Sequence, residues 1–460
     1  MTYDQSVLYL LSLGRELASP RQAQTAKFGL ENISVLTARL GYPERSYRSV
    51  HIAGTNGKGS TAAMLASILR AAGLRTGLYT SPHLLRINER LRVDGVEISD
   101  AYFAATFTRV REAIEELLAT GGLAAHPTFF ECVTAMAFEY FAKQKVEIAV
   151  FEVGMGGRLD STNVITPEVA VITQIDFDHE NFLGHSIEEI AGEKAGIIKP
   201  GAWVVSAAGN IAAQEMIRQR AVEQGARLVE IESAYRVSRL RAEDGRYRFA
   251  ASRTAEAGDG LAPTIEISLP LAGRFQVRNA LTAMAAARLL AERGISIDDD
   301  AIVRGLAAVH WPGRLERLQE RPTVYLDGTH NPAGARELVA FWKENFTGRR
   351  IHLVYGTMRD KAVDEVAGLL FPAAATVTLT QSPQPRSISA EVLATMTRHL
   401  ASTVEVVPDP ATALEHAIEQ AAPDDIVFAT GSLYLVGDLR RYWDARSTGS
   451  AHSALLRPAR

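Results

Sequence analysis

The stretch His51-Ile-Ala-Gly-Thr-Asn-Gly-Lys-Gly-Ser60 carries the residue types of a phosphate cradle in the order such a cradle requires. Gly54, Gly57 and Gly59 let the backbone bend tightly enough for successive N–H groups to face phosphate oxygens near the positive end of a following helix. Lys58 would bring a point charge to the β- and γ-phosphates, and Ser60 a hydroxyl beside a bound Mg2+. The loop departs from the strict G-x-x-x-x-G-K-[ST] pattern, because position 52 is Ile and Gly59 separates Lys58 from Ser60. A plain glycine-rich turn with an exposed lysine is the competing reading. It explains poorly why three glycines surround one lysine just ahead of the well-patterned helical run from Thr61 to Arg70.

Three further groups have similar character. Glu152, in Phe151-Glu-Val-Gly-Met-Gly-Gly-Arg-Leu-Asp-Ser-Thr-Asn163, closes an apolar run. A carboxylate there is costly unless a cation or donor meets it, and Mg2+ beside nucleotide phosphates would do so. Asp176, Asp178 and His179, in Gln174-Ile-Asp-Phe-Asp-His-Glu180, could bring metal ligands or acid/base groups to the end of another strand. In Tyr325-Leu-Asp-Gly-Thr-His-Asn-Pro332, Asp327 could accept ribose or amine hydrogens and His330 could orient a carboxylate or phosphate, with Pro332 suited to opening a helix. Arg314, just after Trp311-Pro-Gly, could reach nucleotide phosphates. Singly, these are a turn-flanking glutamate, surface histidines and a solvated arginine. With the cradle, Glu152 and the Asp176–His179 group place polar chemistry at three successive strand ends, which packing does not require.

The elements that must position them are short β-branched runs alternating with helical patterns. Residues 49–53, 146–153 and 169–175 read as buried parallel strands, and a second series reads from 323–327, 351–355, 376–379 and 425–430. This is an α/β chain: a P-loop ATPase-like, mainly parallel sheet domain over 1–309, and a smaller Rossmann-like α/β domain over 310–446. The hinge falls at Trp311-Pro-Gly313, residues 241–263 read as an exposed hairpin or loop, and 447–460 as a flexible tail.

With 460 residues, 47% hydrophobic and 22% charged, the chain can bury more than one core. The net charge of 49 − 53 = −4 and the lack of a basic run interleaved with aromatics argue against a nucleic-acid partner. The single cysteine, Cys132, excludes a disulfide framework, lies in an apolar helical stretch suited to packing, and fits a reducing, cytoplasmic setting. The first 14 residues read as an amphipathic helix rather than a signal peptide, and no run is apolar enough to predict a membrane span.

Ala53-Gly-Thr-Asn-Gly-Lys-Gly-Ser60, Thr80-Ser-Pro-His-Leu84, Phe151 to Asp160, Gly192-Glu-Lys-Ala-Gly-Ile-Ile-Lys199, Asp327-Gly-Thr-His-Asn-Pro332 and Ala429 to Gly437 together resemble the signature set of folylpolyglutamate synthase/dihydrofolate synthase, of the Mur ligase superfamily. The likeness runs in order from about residue 27 to residue 437, and that family's G-T-N-G-K-G-[ST] loop accounts for the departure at Ile52 and Gly59. The resemblance implies that Gly57, Lys58, Gly59, Ser60, Asn279, Arg314 and Asp327 bind ATP. It implies that Ser81, Glu152, His179 and Lys194 serve two Mg2+ sites, Lys194 as a carbamate; bare, Lys194 would be an ordinary helix-surface lysine. A monovalent cation is a further implied cofactor. Lys27, Phe28 and Gly29, Thr128, Phe129, Phe130 and Glu131, and Leu159, Asp160 and Ser161 fall where the family binds a pteroate substrate, and His330 near the incoming glutamate. Lys58, His179, Lys194 and Arg314 are the catalytic set so implied.

The reaction implied is ATP-dependent addition of L-glutamate to dihydropteroate, to tetrahydrofolates, or to both, through an acyl phosphate, by a monomer acting on small molecules. A glutamate-chain extender alone is the alternative. A cell-wall Mur ligase is disfavoured by Gly156-Gly-Arg-Leu-Asp160 and by the lack of a UDP-binding domain ahead of the cradle. A P-loop switch would not need a second polar set in a separate domain.

Overall fold

The computed structural model describes residues 1–14, 29–243, 245–254 and 264–447. They divide into two compact units, one of residues 1–241, 248–270 and 276–309, the other of 242–247, 271–275 and 310–460. The division is less simple than a single cut after residue 309, because two short segments from earlier in the chain pack with the C-terminal unit. Tyr247 Oη, for example, donates to Glu344 Oε2 at 2.9 Å.

The larger unit is built on an eight-stranded sheet made of β1 (Arg48–Ala53), β2 (Thr76–Tyr79), β3 (Leu91–Val93), β4 (Val96–Glu97), β5 (Ile148–Glu152), β6 (Val169–Ile172), β7 (Trp203–Ser206) and β8 (Arg227–Glu230), in the order β4-β3-β2-β5-β1-β6-β7-β8. All neighbours from β2 to β8 pair in parallel. Only β3 and β4 run antiparallel, at one edge. The central strands are buried along their length, as in β5 and β6, which is why they read as continuous apolar runs. From β1 the chain crosses to β2, and β5 and β6 then flank β1 on opposite sides, so the sheet changes winding direction at β1. Ligand crevices in such sheets open at that point, at the carboxyl ends of the strands. A three-stranded sheet of β9 (Tyr235–Glu243), β10 (Arg246–Arg253) and β11 (Thr264–Leu269) adds the hairpin expected within 241–263; residues 255–263 lie outside the description.

Helix Phe129–Lys143 packs its apolar face beneath β5, with the Phe138 and Phe141 rings 5.2 and 5.7 Å from Phe151. Cys132 lies in this core, fully buried, and burial pushes its thiol well above the ordinary range. That is the state of a packing cysteine, not a nucleophile.

The smaller unit carries a six-stranded sheet of β12 (Glu316–Glu320), β13 (Thr323–Leu326), β14 (Ile351–Tyr355), β15 (Thr376–Leu379), β16 (Val404–Val406) and β17 (Ile426–Thr430), ordered β12-β13-β17-β14-β15-β16. It is parallel except for β12, the edge strand. Tyr325 and Phe428 stack at 4.9 Å on adjacent strands and anchor a core that includes Phe341 and Trp342. No described helix is long and apolar enough to cross a membrane.

Candidate active site

The cradle forms where β1 ends and helix Lys58–Ala71 begins. Gly54 is a glycine because a Cβ there would lie 1.8 Å from Thr173 Oγ1, and Gly57 because its φ of +89° is left-handed and a Cβ would lie 2.4 Å from Asn279 Oδ1. Thr173 Oγ1, just past β6, donates to the Asn56 carbonyl at 2.8 Å. Thr55 Oγ1 donates to the Asp176 carbonyl at 2.8 Å and receives the Asp176 N–H at 3.1 Å. The loop is therefore held by the neighbouring strand end before any ligand arrives.

Two lysines converge on one carbonyl. Lys58 Nζ donates to the oxygens of Gly54 (3.0 Å) and Thr55 (3.1 Å), and Lys194 Nζ donates to the same Gly54 oxygen at 3.0 Å. Lys194 belongs to helix Ile187–Ala195 and is only 4% exposed, so it is no helix-surface lysine. Burial first, and then the Lys58 ammonium, lower its pKa from 10.5 to about 7. A substantial share of the side chain is thus a neutral amine near neutral pH.

Glu152 closes β5 opposite Ile52 and is 5% exposed; its Oε2 receives the Ser81 N–H at 3.1 Å. The structure so brings Ser81 and Glu152 together. His179 has a left-handed φ of +53°, precedes the short helix Glu180–Leu183, and its N–H donates to Asp178 Oδ1 at 3.0 Å. Among the described residues no three His, Cys, Asp or Glu side chains gather as a metal cluster. Mg2+ bound with nucleotide phosphates needs only one or two carboxylates, and the buried Glu152 beside the cradle, with Ser81 against it, is a donor set of that kind.

Asn279 joins the cradle through a residue that the sequence reading overlooked. Asn279 Nδ2 donates to Gln276 Oε1 at 2.9 Å, and Gln276 Nε2 donates to Ser60 Oγ at 3.3 Å. Gln276 is fully buried in helix Phe275–Glu292, and its position three residues before Asn279, one helical turn away, was the available signal.

The expected substrate residues divide. Thr128 and Glu131 form a capping box: the Glu131 N–H donates to Thr128 Oγ1 at 3.2 Å and the Thr128 N–H to Glu131 Oε2 at 2.7 Å. Their polar atoms are engaged within the fold, so what they offer a ligand is the placement of the helix start. Phe129 is buried, whereas Phe130 is half-buried, with its ring over Gly154 where a Cβ would meet it at 2.4 Å. Asp160 is likewise turned inward, accepting N–H groups from Met155 and Thr162, both at 3.0 Å. Ser161 is buried, Leu159 half-buried, Gly29 precedes helix Glu31–Arg39, and Lys27 and Phe28 lie outside the described residues.

In the smaller unit, Asp327 ends β13 and is 3% exposed; Oδ2 receives the Leu315 N–H and Oδ1 the Thr329 N–H, both at 2.9 Å. The same loop carries His330, whose Nδ1 lies 2.8 Å from the Gly328 carbonyl and so holds a proton there. Arg314 Nη1 donates to the Gly313 carbonyl at 3.1 Å and occupies the space a Gly328 Cβ would need, at 2.3 Å. Arg314, Asp327 and His330 are thus gathered on one edge of this unit.

The family models bear on this arrangement. That of the Mur ligase middle domain matches residues 52–287, and that of the Mur ligase glutamate ligase domain matches 313–433. A Bacillus subtilis protein named dihydrofolate synthase/folylpolyglutamate synthase is 38% identical over 417 residues, covering 90% of this chain and 95% of its own. The chain belongs to the folylpolyglutamate synthase/dihydrofolate synthase family of the Mur ligases. Among solved structures, Escherichia coli FolC in complex with DHPP and ADP superposes with a TM-score of 0.83 at 31% identity, covering 97% of this chain and 99% of that one. A bifunctional folylpolyglutamate synthase/dihydrofolate synthase with Mn, AMPPNP and L-glutamate bound gives 0.80 at 31% identity, over 96% and 98%.

Proposed function

We propose that this chain is an ATP-dependent ligase that joins L-glutamate to dihydropteroate and to reduced folates, the two activities residing in one site. The observation that carries the reading is the convergence of Lys58 and Lys194 on the Gly54 carbonyl, beside the buried Glu152. A phosphate cradle alone is common; one flanked by a buried carboxylate and a half-neutral buried lysine suits transfer of a phosphoryl group to a carboxylate.

The carboxylate of the acceptor attacks the γ-phosphorus of ATP, ADP leaves, and an acyl phosphate remains. The α-amine of glutamate attacks the acyl carbon, one proton is lost, and phosphate departs to leave the amide. The cradle N–H groups and Lys58 stabilise the charge on the transferring group, and catalysis rests on positioning and electrostatics. Two Mg2+ ions held by Ser81, Glu152, His179 and a carbamylated Lys194 would neutralise phosphate charge. In this reading Gly57, Gly59, Ser60 and Asn279 hold the nucleotide, Phe130 and Leu159 line the acceptor seat, and Arg314, Asp327 and His330 serve the nucleotide and the incoming glutamate. Residues 310–446 act as the glutamate-ligase domain. A monovalent cation, a monomeric state and a cytoplasmic location complete the proposal.

Phosphate release measured with dihydropteroate and with tetrahydrofolate, each with L-glutamate, tests it. Turnover with both is expected, and Lys58→Ala should abolish it. ATP hydrolysis indifferent to either acceptor would overturn the ligase reading, and turnover with tetrahydrofolate alone would reduce it to a chain extender.

A further inference from the structure

His51 lies three residues ahead of Gly54 on β1 and is fully buried. Its Nε2 is 2.8 Å from Thr162 Oγ1, and the same hydroxyl is 2.5 Å from Asp160 Oδ1. A threonine hydroxyl has one proton to give. The shorter contact is to a carboxylate, the stronger acceptor, so Thr162 donates to Asp160 and His51 must donate to Thr162 through Nε2–H. The other ring nitrogen is then a bare lone pair, and His51 Nδ1 has no hydrogen-bond partner. Burial and the Lys199 ammonium hold the imidazole pKa down at about 3, so it takes no second proton near neutral pH. The direction of the chain, imidazole to hydroxyl to carboxylate, is therefore fixed.

Asp160 in turn gathers a loop. Its Oδ2 receives the Met155 N–H at 3.0 Å, and its Oδ1 the Thr162 N–H at 3.0 Å. The loop it holds runs directly on from Glu152, and within it Gly157 sits so close to helix Ile187–Ala195 that a Cβ would meet the Glu193 and Lys194 carbonyls at 2.8 and 2.9 Å. A shift of this backbone would thus reach Glu152 at one end and Lys194 at the other.

We propose that His51 is a positioning residue for the ligation: through the Thr162 hydroxyl it orients the Asp160 carboxylate, and so sets the Met155–Gly157 backbone against Glu152 and Lys194. The proposal rests on the ligase reading above. It accounts for a histidine in the strand that leads into the cradle, where a purely apolar residue would pack at no polar cost.

Thr162→Val keeps the shape and removes the hydroxyl; Thr162→Ser keeps the hydroxyl. Expected for Thr162→Val is a fall in kcat on the order of 10- to 100-fold, the effect of misplacing reacting groups by a fraction of an ångström to an ångström. The ADP Kd by calorimetry should stay within about twofold, because P-loop donors are untouched, and Thr162→Ser should recover most of the rate. His51→Ala combined with Thr162→Val should cost little more than either alone, as members of one chain do. Nitrogen-15 shifts of His51 should report a neutral Nε2–H tautomer throughout the neutral range. An unchanged kcat in a folded Thr162→Val, equal losses in the Val and Ser variants, or a His51 that protonates near pH 6–7 would each overturn the proposal. Failure of the wild type to ligate any pteroate or folate would instead remove the ligase reading, and with it the role in ligation, while the nitrogen shifts would still decide the hydrogen-bond direction.

Discussion

Lys194→Met removes a cation from a site where burial and the Lys58 ammonium bring the lysine pKa from 10.5 to about 7. The unfolded chain keeps this lysine protonated up to about pH 10.5, whereas the folded chain releases the proton from about pH 7 upward. The unfolded state therefore binds more protons across that window, and wild-type stability must rise with pH through it. Lowering the pKa from 10.5 to about 7 corresponds to about 5 kcal/mol in full. The part relieved between about pH 6 and pH 9 is about 2–3 kcal/mol. The Met variant lacks this contribution, so its stability relative to wild type should be greatest near pH 6 and decline toward pH 9. The Gly54 carbonyl keeps Lys58 Nζ as a donor at 3.0 Å, so the substitution leaves no orphaned acceptor. Urea midpoints of both proteins in buffer freed of carbon dioxide, at several pH values across the window, measure the difference; carbon-13 shifts of the lysine ε-carbons, with the variant as the assignment, measure the titration directly. A difference that is flat with pH, or a Lys194 resonance that titrates near the ordinary lysine value, would refute the argument that burial and Lys58 govern this amine.

Lys194→Ala should impair turnover and be partly rescued by small carboxylates added to the assay, since the carbamate supplies an anionic group; indifference to both changes would discard the carbamate. Gly57→Ala must hold an alanine at φ +89° against Asn279 Oδ1, at a cost of about 1–2 kcal/mol, and calorimetry should show ADP binding weakened roughly tenfold; an unchanged Kd would mean the loop relaxes freely. In the smaller unit, burial raises the Asp425 carboxyl, but the Ala422 N–H and His352 outweigh it and hold the pKa below the ordinary 3.8. Its stabilising effect is present above that ordinary value and is lost as pH falls through the depressed one. Asp425→Asn should accordingly cost stability at neutral pH and converge with wild type in strong acid, and a gap that widens in acid would contradict this.

Much of the architecture was legible because parallel strands buried on both faces are written as unbroken apolar runs. Residues 351–355 and 376–379 form strands with the expected bounds, and 49–53 and 425–430 differ by one residue at a single end. Local chemistry was legible for the same reason: a glycine-rich turn around Lys58, and a glutamate closing an apolar strand, are anomalies visible without a partner in view. The strands 76–79 and 203–206 gave no comparable signal: Gly77 interrupts the first, and the second holds only two β-branched residues, against three in 376–379.

What the chain order alone could not decide is which polar atoms face a ligand and which face the protein. Thr128, Glu131 and Asp160 lie in stretches expected to meet substrate, yet their hydrogen bonds close on the backbone around them. Lys194, by its sequence a surface lysine, is drawn beneath the cradle, and Gln276 reaches Ser60 across 216 residues of chain. Composition, spacing and motif order determined the family, the mainly parallel character of the sheets and the strand ends where chemistry gathers, because these depend on local conformation and on the period of burial. The protonation of Lys194, the inward turn of Asp160 and the direction of the His51–Thr162–Asp160 chain depend on desolvation and on which donor meets which acceptor at 3 Å. Only the folded backbone brings those groups together, and only there do the energies that set them exist.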